Sequence, residues 1–220
     1  MATQFKIQPL IAPEPPRLPS APMQYSPQYL EQMLNVLRLY FNRLHNFEQL
    51  FTTNTGGAFL QFPYGAFSSD QDQTTTANTA TLMTLNTTDF SGGGVSISSS
   101  KITTTIPGTY NLQFSAQFQN TDNAIQDISI WLRQNGTDIP GSTGFVSIPA
   151  RKSAAAGEEA HEIIGWNYYV QLQANDYIEI WWSTTLASVT IQHYPASTGP
   201  VRPSTQSVVA TLSFVSALYP

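Results

Sequence analysis

The feature that most constrains the fold is an alternating stretch, Gly165–Ser183, which reads GWNYYVQLQANDYIEIWWS. Apolar side chains recur at every second position on both sides of a short polar turn, Ala174-Asn175-Asp176. A period of two is typical of β-strands, and Asn and Asp tolerate the positive φ of a tight turn. The stretch therefore predicts two antiparallel strands in the middle of a β-rich core.

Shorter segments of the same kind follow one another from about residue 65 to the end. Turn sequences rich in Gly, Pro and Asn separate them, and no long helix is predicted after residue 50. Many short antiparallel strands are typical of a sandwich or barrel. The predicted strands are 65–69, 81–86, 94–98, 101–105, 109–119, 126–134, 144–149, 161–173, 176–184, 187–193 and 207–217.

The composition excludes several classes of function. Charged residues make up only 10% of the chain, against about 25% in a typical soluble protein. The net charge is −5 without a basic patch, so we expect no nucleic-acid partner. The absence of cysteine excludes disulfides and thiol chemistry. We find no signal peptide and no apolar run long enough for a membrane span, so no membrane partner is expected.

The first 26 residues are rich in proline, which disfavours both helix and sheet, and they predict an extended arm. The arm carries more apolar side chains than a solvated linker needs. We interpret it as an anchor that lies along a partner surface, and the alternative is a spacer that packs on its own domain. Its candidate anchoring residues are Phe5, Ile7, Leu10, Ile11, Leu18, Met23 and Tyr25.

Residues 27–50 predict one helix, because Ser26 is a good N-cap and Pro27 suits the first helical position. Two apolar seams with 4-3-4-3 spacing merge into one broad stripe. We expect the stripe to pack on other copies or on a neighbouring protein, and the alternative is packing on its own domain. A connector at 51–64 would follow. The stripe consists of Leu30, Met33, Leu34, Leu37, Tyr40, Phe41, Leu44 and Phe47.

No constellation in the sequence predicts catalysis, so we expect a protein that is not an enzyme and has no cofactor. His161-Glu162, near Glu158-Glu159, is the densest histidine and carboxylate group, and a solvated loop explains it better than a metal site. Asp70 and Asp72 lack the other ligands of a calcium loop. No serine lies in a nucleophile elbow, and no glycine run continues as a phosphate-binding loop.

The tryptophans have two possible uses. Exposed Trp can stack on sugars or fill a partner's pocket, whereas Trp on alternating strands more often fills a core or a subunit interface. Trp181 and Trp182 are adjacent and must point to opposite faces of their sheet. We therefore expect a sheet that is covered on both faces.

Several segments of the C-terminal region resemble the C1q/TNF-like jelly rolls. Ile106–Phe114 resembles their Pro-Gly-x-Tyr strand, and Trp131–Gly136 resembles the strand with the Asn-Gly turn that follows. Tyr169–Ile180 is similar to their Gly-Asp strand pair, with Asn175 in place of the glycine, and Ser207–Phe214 resembles the closing strand. The resemblance implies an antiparallel jelly-roll sandwich at 65–220 that forms homotrimers through aromatic faces. The implied trimer core is Tyr110, Phe114, Trp166, Tyr168, Trp181 and Trp182.

Residues 13–47 resemble the N-terminal segment of structural proteins from tailed bacteriophages, particularly those of cyanobacteria and marine bacteria. The resemblance implies a virion protein that is assembled in the host cytoplasm. In this interpretation residues 1–50 bind other virion proteins of the tail, portal or capsid, and the β-rich head projects as a short fiber that attaches to a host glycan. The alternatives are a capsid decoration (cement) protein and a free C1q-like lectin.

Overall fold

A computed structural model describes residues 13–52, 62–155 and 158–218. The chain divides into two units, Met1–Gln61 and Phe62–Pro220. Within the described part of the chain, no helix is both long and apolar enough to cross a membrane. The predicted anchoring residues Phe5, Ile7, Leu10 and Ile11 lie outside the described residues.

The first unit contains one helix, α1 (Pro27–Thr52). It begins where the sequence predicts, because the Ser26 hydroxyl accepts a hydrogen bond from the Tyr29 amide at 3.3 Å. It extends two residues past the predicted end at residue 50. The prediction of a single N-terminal helix with a serine cap is confirmed.

The second unit consists of β-strands, most of them short. They are β1 (Tyr64–Ser69), β2 (Thr81–Leu82), β3 (Thr87–Gly92), β4 (Val95–Ser98), β5 (Lys101–Thr104), β6 (Gly108–Asn120), β7 (Gln126–Gln134), β8 (Thr137–Asp138), β9 (Gly144–Ile148), β10 (Ala160–Leu172), β11 (Tyr177–Thr184), β12 (Val189–Ile191), β13 (Ser197–Thr198), β14 (Val201–Arg202) and β15 (Val208–Ser216).

The strands form two main antiparallel sheets. In the first sheet the order is β10-β6-β15-β1-β3, and β12 pairs with the end of β6. In the second sheet the order is β4-β5-β11-β7-β8, with β2 on β11 and β9 on β7. The prediction of a mainly β protein with antiparallel sheets is confirmed. β13 and β14 form a small separate ribbon.

The long-range pairing is nested along the chain. β1 pairs with β15, β5 with β11, β6 with β10 and β7 with β9. Each successive pair therefore lies inside the sequence interval of the one before. The chain follows the path of one long hairpin, whose two halves pair along their length and fold over together. Strands that are distant in the sequence therefore lie side by side.

The core lies between the two sheets. Alternate residues of β6 are buried along its whole length, and β7 alternates in the same way as far as Leu132. On β11 the alternation is interrupted by Glu179, which is buried between Ile178 and Ile180. The ring of Phe118 on β6 meets the ring of Trp182 on β11 edge-on at 5.6 Å between centroids, which joins the sheets. The largest fully buried side chains include Trp182, Tyr110, Phe67, Phe118 and Met83.

Two predicted strands are much shorter than expected. The prediction of 81–86 is wrong beyond Leu82, because the Gln73 side chain bonds the Thr84 backbone in place of a neighbouring strand. The Thr84 amide donates to Gln73 Oε1 at 2.8 Å, and Gln73 Nε2 donates to the Thr84 carbonyl at 2.9 Å. The predicted strand 187–193 is reduced to Val189–Ile191. β3, β8, β13 and β14 were not predicted.

Candidate interaction surfaces

The described part of the chain covers the apolar stripe of α1 only in part. None of the described side chains of the helix is buried. The stripe residues Leu30, Met33, Leu37, Tyr40, Leu44 and Phe47 are partly buried. Leu34 and Phe41 are 55% and 59% exposed. Two large apolar side chains of the stripe are therefore left largely uncovered by the described residues.

Part of the arm lies against the helix and reaches the stripe at Tyr40. Glu14–Arg17 line a hollow together with Val36, Leu39, Tyr40 and Arg43. The three apolar arm residues that follow, Leu18, Met23 and Tyr25, are exposed. Residues 14–17 thus lie on their own helix, and the described part of the chain leaves these three side chains exposed.

The predicted trimer-core residues separate into two groups. Tyr110, Phe114 and Trp182 are buried within the chain's own core, so their burial needs no second copy. Trp166 and Tyr168 are partly buried and pack at the edge of the same core. The Trp166 ring meets Phe114 edge-on at 4.6 Å between centroids.

Trp181 is the one member of this set that points away from the core. It lies on the outer face of the second sheet, directly opposite Trp131 on the neighbouring strand. The expectation that Trp181 and Trp182 face opposite sides is confirmed, since Trp182 is fully buried and Trp181 is not. The Arg133 guanidinium covers the Trp181 ring at 3.9 Å from its centroid, so the chain itself supplies part of the outer cover.

The outer face of the first sheet carries no charged side chain across three adjacent strands. The positions that alternate with the core on β10, β6 and β15 hold only neutral residues, and His161 occupies the next outward position at one end. Ile163 and Tyr169 on this face are 67% and 58% exposed. On β1 the corresponding residues Ala66 and Ser68 are buried, and the Ser68 hydroxyl donates to Asp89 of the neighbouring β3 at 3.0 Å. The outward residues of the neutral face are Ile163, Gly165, Asn167, Tyr169, Gln171, Thr109, Asn111, Gln113, Ser115, Gln117, Gln119, Val209, Thr211 and Ser213.

A shallow hollow lies on this neutral face between the edge strand β10 and its neighbour β6. Gly165 belongs to its lining, and a Cβ there would clash with the Phe114 carbonyl oxygen. Ile163 and Asn167 on one strand and Gln113 and Ser115 on the next surround it. The neutral face therefore has a concave part beside the exposed Ile163.

The outer face of the second sheet carries a fixed cluster of aromatic and charged groups. The Trp131 indole N–H and the Arg133 Nε both donate to Asp138 Oδ1, at 2.7 and 2.8 Å. The Trp181 indole N–H donates to Glu179 at 3.2 Å. The bond to Asp138 holds the Trp131 indole beside the turn that follows β8.

The same cluster controls the charge of Asp138. Hydrogen bonds from Arg133 and then from Trp131 hold the pKa of this carboxyl below its ordinary value. Asp138 is therefore ionised at neutral pH. Our sequence interpretation missed this group, although the Asn135-Gly136 turn sets a register that places Arg133 opposite Asp138.

The carboxylates that were weighed as metal ligands are engaged by protein donors. Asp70 accepts from the Asn86 side chain at 2.6 Å, and Asp72 accepts from the His193 amide at 2.8 Å. His161 Nδ1 lies 3.0 Å from the Tyr194 hydroxyl. Across the residues that the structure describes, no three His, Cys, Asp or Glu side chains form a group that could hold a metal ion.

Comparison with known proteins adds no identity to this geometry. No protein-family model matches the sequence, and a search of curated proteins finds no match.

Proposed function

We propose that this chain is a structural protein of a tailed-phage particle, in which it forms a homotrimeric short fiber. The arm and α1 anchor the trimer to other virion proteins, and the β-rich head projects for attachment to the host surface. The protein acts by binding and not by catalysis. The neutral outer face of the first sheet is the observation that carries this proposal.

The nested strand pairing supports a jelly roll of the C1q/TNF-like type as the head. A jelly roll is a long hairpin wrapped into two sheets, and the four nested pairs from β1–β15 to β7–β9 have that order. The order agrees with the resemblance in the sequence, whose segments lie on β6, β7, β10, β11 and β15. The strand pairing and the sequence motifs therefore favour the same architecture.

The neutral face supports the trimer. Solvent-facing sheet surfaces usually carry charges, whereas the central part of a subunit interface is depleted of them. Ile163 and Tyr169 supply exposed apolar area at this face, and the Gly165 hollow supplies a concave surface for a knob from another copy. A ring of three copies closes such a contact without leaving one face open.

The helix supports the anchor. Leu34 and Phe41 belong to a 4-3-4-3 row and are left exposed by the described part of the chain. A short helix of this kind is stable when its apolar row packs on other helices. Three linked helices and arms would also bind the particle with a high effective concentration.

Light scattering on the purified full chain tests the trimer. We expect a mass of three chains at micromolar concentration, and a monomer would contradict the proposal.

Gold-labelled antibody against residues 65–220, imaged on intact particles, tests the position. Label confined to the tail or a single vertex supports the fiber. Label over the whole shell would replace the fiber by a capsid decoration protein. Particles without any label would contradict the virion role and favour a free C1q-like lectin.

A further inference from the structure

We propose that the outer face of the second sheet binds one ring of a neutral saccharide in a hollow beside Trp131. This hollow, the Trp131 hollow, is lined by Trp131, Asp138, Ile139, Pro140, Gly141 and Thr143. It deepens the host-attachment part of the proposed function and rests on that function only for the source of the saccharide.

The wall of the Trp131 hollow is held rigidly. The buried Ser142 hydroxyl accepts from the Leu132 amide at 3.0 Å and donates to the Ile139 carbonyl at 2.8 Å. The Ile139 amide in turn donates to the Leu132 carbonyl at 2.9 Å. The turn at 139–143 is therefore tied to β7, and a ligand would meet a preformed surface.

The hollow combines an apolar surface with polar groups at its rim. The Trp131 ring and the Pro140 side chain provide the apolar surface. Asp138 Oδ1 is occupied by Trp131 and Arg133, and no donor among the described residues contacts Oδ2. The Thr143 side chain is exposed at the opposite rim. The site thus offers one fixed anionic acceptor and one hydroxyl beside an aromatic plane.

A saccharide ring fits this chemistry better than an apolar or an anionic ligand. One face of a sugar ring presents C–H groups that pack on an indole, and its edge carries hydroxyls that donate to a carboxylate. An anion would be repelled by the free Asp138 oxygen, and a wholly apolar group would leave that oxygen and Thr143 unpaired.

The test uses the full chain and an array of neutral oligosaccharides of glucose, galactose, mannose and N-acetylglucosamine. The strongest binder is then titrated by calorimetry. We expect Trp131→Ala to weaken binding by at least about tenfold, because it removes the stacking surface. Trp131→Phe keeps a ring and should retain part of the affinity.

The matched control is Phe90→Ala, which truncates an exposed aromatic on β3 of the other sheet, outside the neutral face, and should leave saccharide binding unchanged. Thr143→Val is nearly isosteric and serves as a second test in case the Trp131 variant does not fold. It removes the hydroxyl at the rim, so it should weaken binding about threefold or more.

The inference is overturned by the absence of binding across the array, or by full binding in Trp131→Ala. A change of oligomeric mass in Trp131→Ala without saccharide binding would assign the hollow to a subunit contact and also overturn it. A trimer that binds no saccharide contradicts this inference alone, whereas a monomer that binds through Trp131 contradicts the trimer alone.

Discussion

The hydroxyl of Tyr110 lies 2.7 Å from the hydroxyl of Thr104, in a buried contact between the first sheet and the second. Tyr110 also donates to the Ile106 carbonyl at 2.7 Å, and the Ile106 amide donates to the Thr104 hydroxyl at 3.2 Å. The two side chains and one backbone unit form a closed network. The Pro-Gly turn before β6 is therefore fastened to the core by hydrogen bonds as well as by packing.

Replacement of Tyr110 by Phe should lower the free energy of unfolding by about 1–2 kcal/mol, because it leaves the Ile106 carbonyl without this donor. Replacement of Thr104 by Val should have a similar effect. The double variant should lower the free energy of unfolding by less than the sum of the two single variants, since each change breaks the same contact. Urea denaturation measures all three, and simple additivity would contradict a shared network.

The stability of the head should fall as the pH rises from about 10 towards 12. Burial, followed by the nearby Asp72 and Glu159 carboxylates, raises the pKa of Tyr194 to about 12. Burial also raises the pKa of Tyr110. The unfolded chain loses these protons near pH 10 while the folded chain keeps them, so folding is favoured less as the pH increases. Denaturation at successive pH values checks this, and Tyr194→Phe should flatten the decline.

Replacement of Asn120 by Ala should destabilise the head by about 3 kcal/mol. Its fully buried amide donates to the Ala124 and Pro149 carbonyls, at 3.0 and 2.9 Å, and accepts from the Asp122 amide at 2.9 Å. Alanine would leave three backbone groups unpaired. Asn123→Ala is the matched control at an exposed position, and thermal unfolding that affects both variants equally would contradict this role.

A lysine in place of Ile163 should dissociate the proposed trimer without unfolding the head. Ile163 is largely exposed in the single chain, so its loss costs little there, whereas a charge at a subunit contact must be desolvated. The control is Ser96→Lys, which adds the same charge to an exposed position on the second sheet. Light scattering that shows trimers for both variants would exclude the first sheet as the contact face.

Lysine in place of Leu34 or Phe41 should raise the concentration at which the trimer dissociates by at least about tenfold. Each change places a charge within the 4-3-4-3 row of α1. Asn35→Lys and Asn42→Lys are the controls, because these exposed neighbours lie off the row. Sedimentation at several concentrations gives the comparison, and equal weakening by all four variants would mean that the row makes no specific contact.

Strands with clear alternation and a recognisable turn could be predicted from the sequence. β10 and β11 were predicted to within one residue at each end, and Asn175 has the expected positive φ of 69°. β3 was missed because Thr87–Gly92 is polar, contains Asp89 and runs into glycines, so it shows no burial period. Local patterns also do not show which strands pair with each other. β1 and β15 form a pair, but they are separated by most of the chain.

The interaction surfaces were harder to predict than the strands. Local pattern shows that Trp181 and Trp182 differ in direction, but it does not show that Arg133 covers one of them. It also does not show that Tyr110, Phe114 and Trp182 are already buried in one chain. The neutral face becomes visible only when the register of β10, β6 and β15 is known, because its residues come from distant parts of the sequence.

The outer face of the first sheet is neutral, so dissolved ions have almost no charge–charge interaction to screen there. Added salt weakens contacts between charges, whereas it leaves apolar contacts intact or strengthens them. An assembly joined through Ile163, Tyr169 and their uncharged neighbours would therefore hold equally well in dilute buffer and in brine. A protein that is assembled inside a cell and works outside it would encounter both low and high salt concentrations.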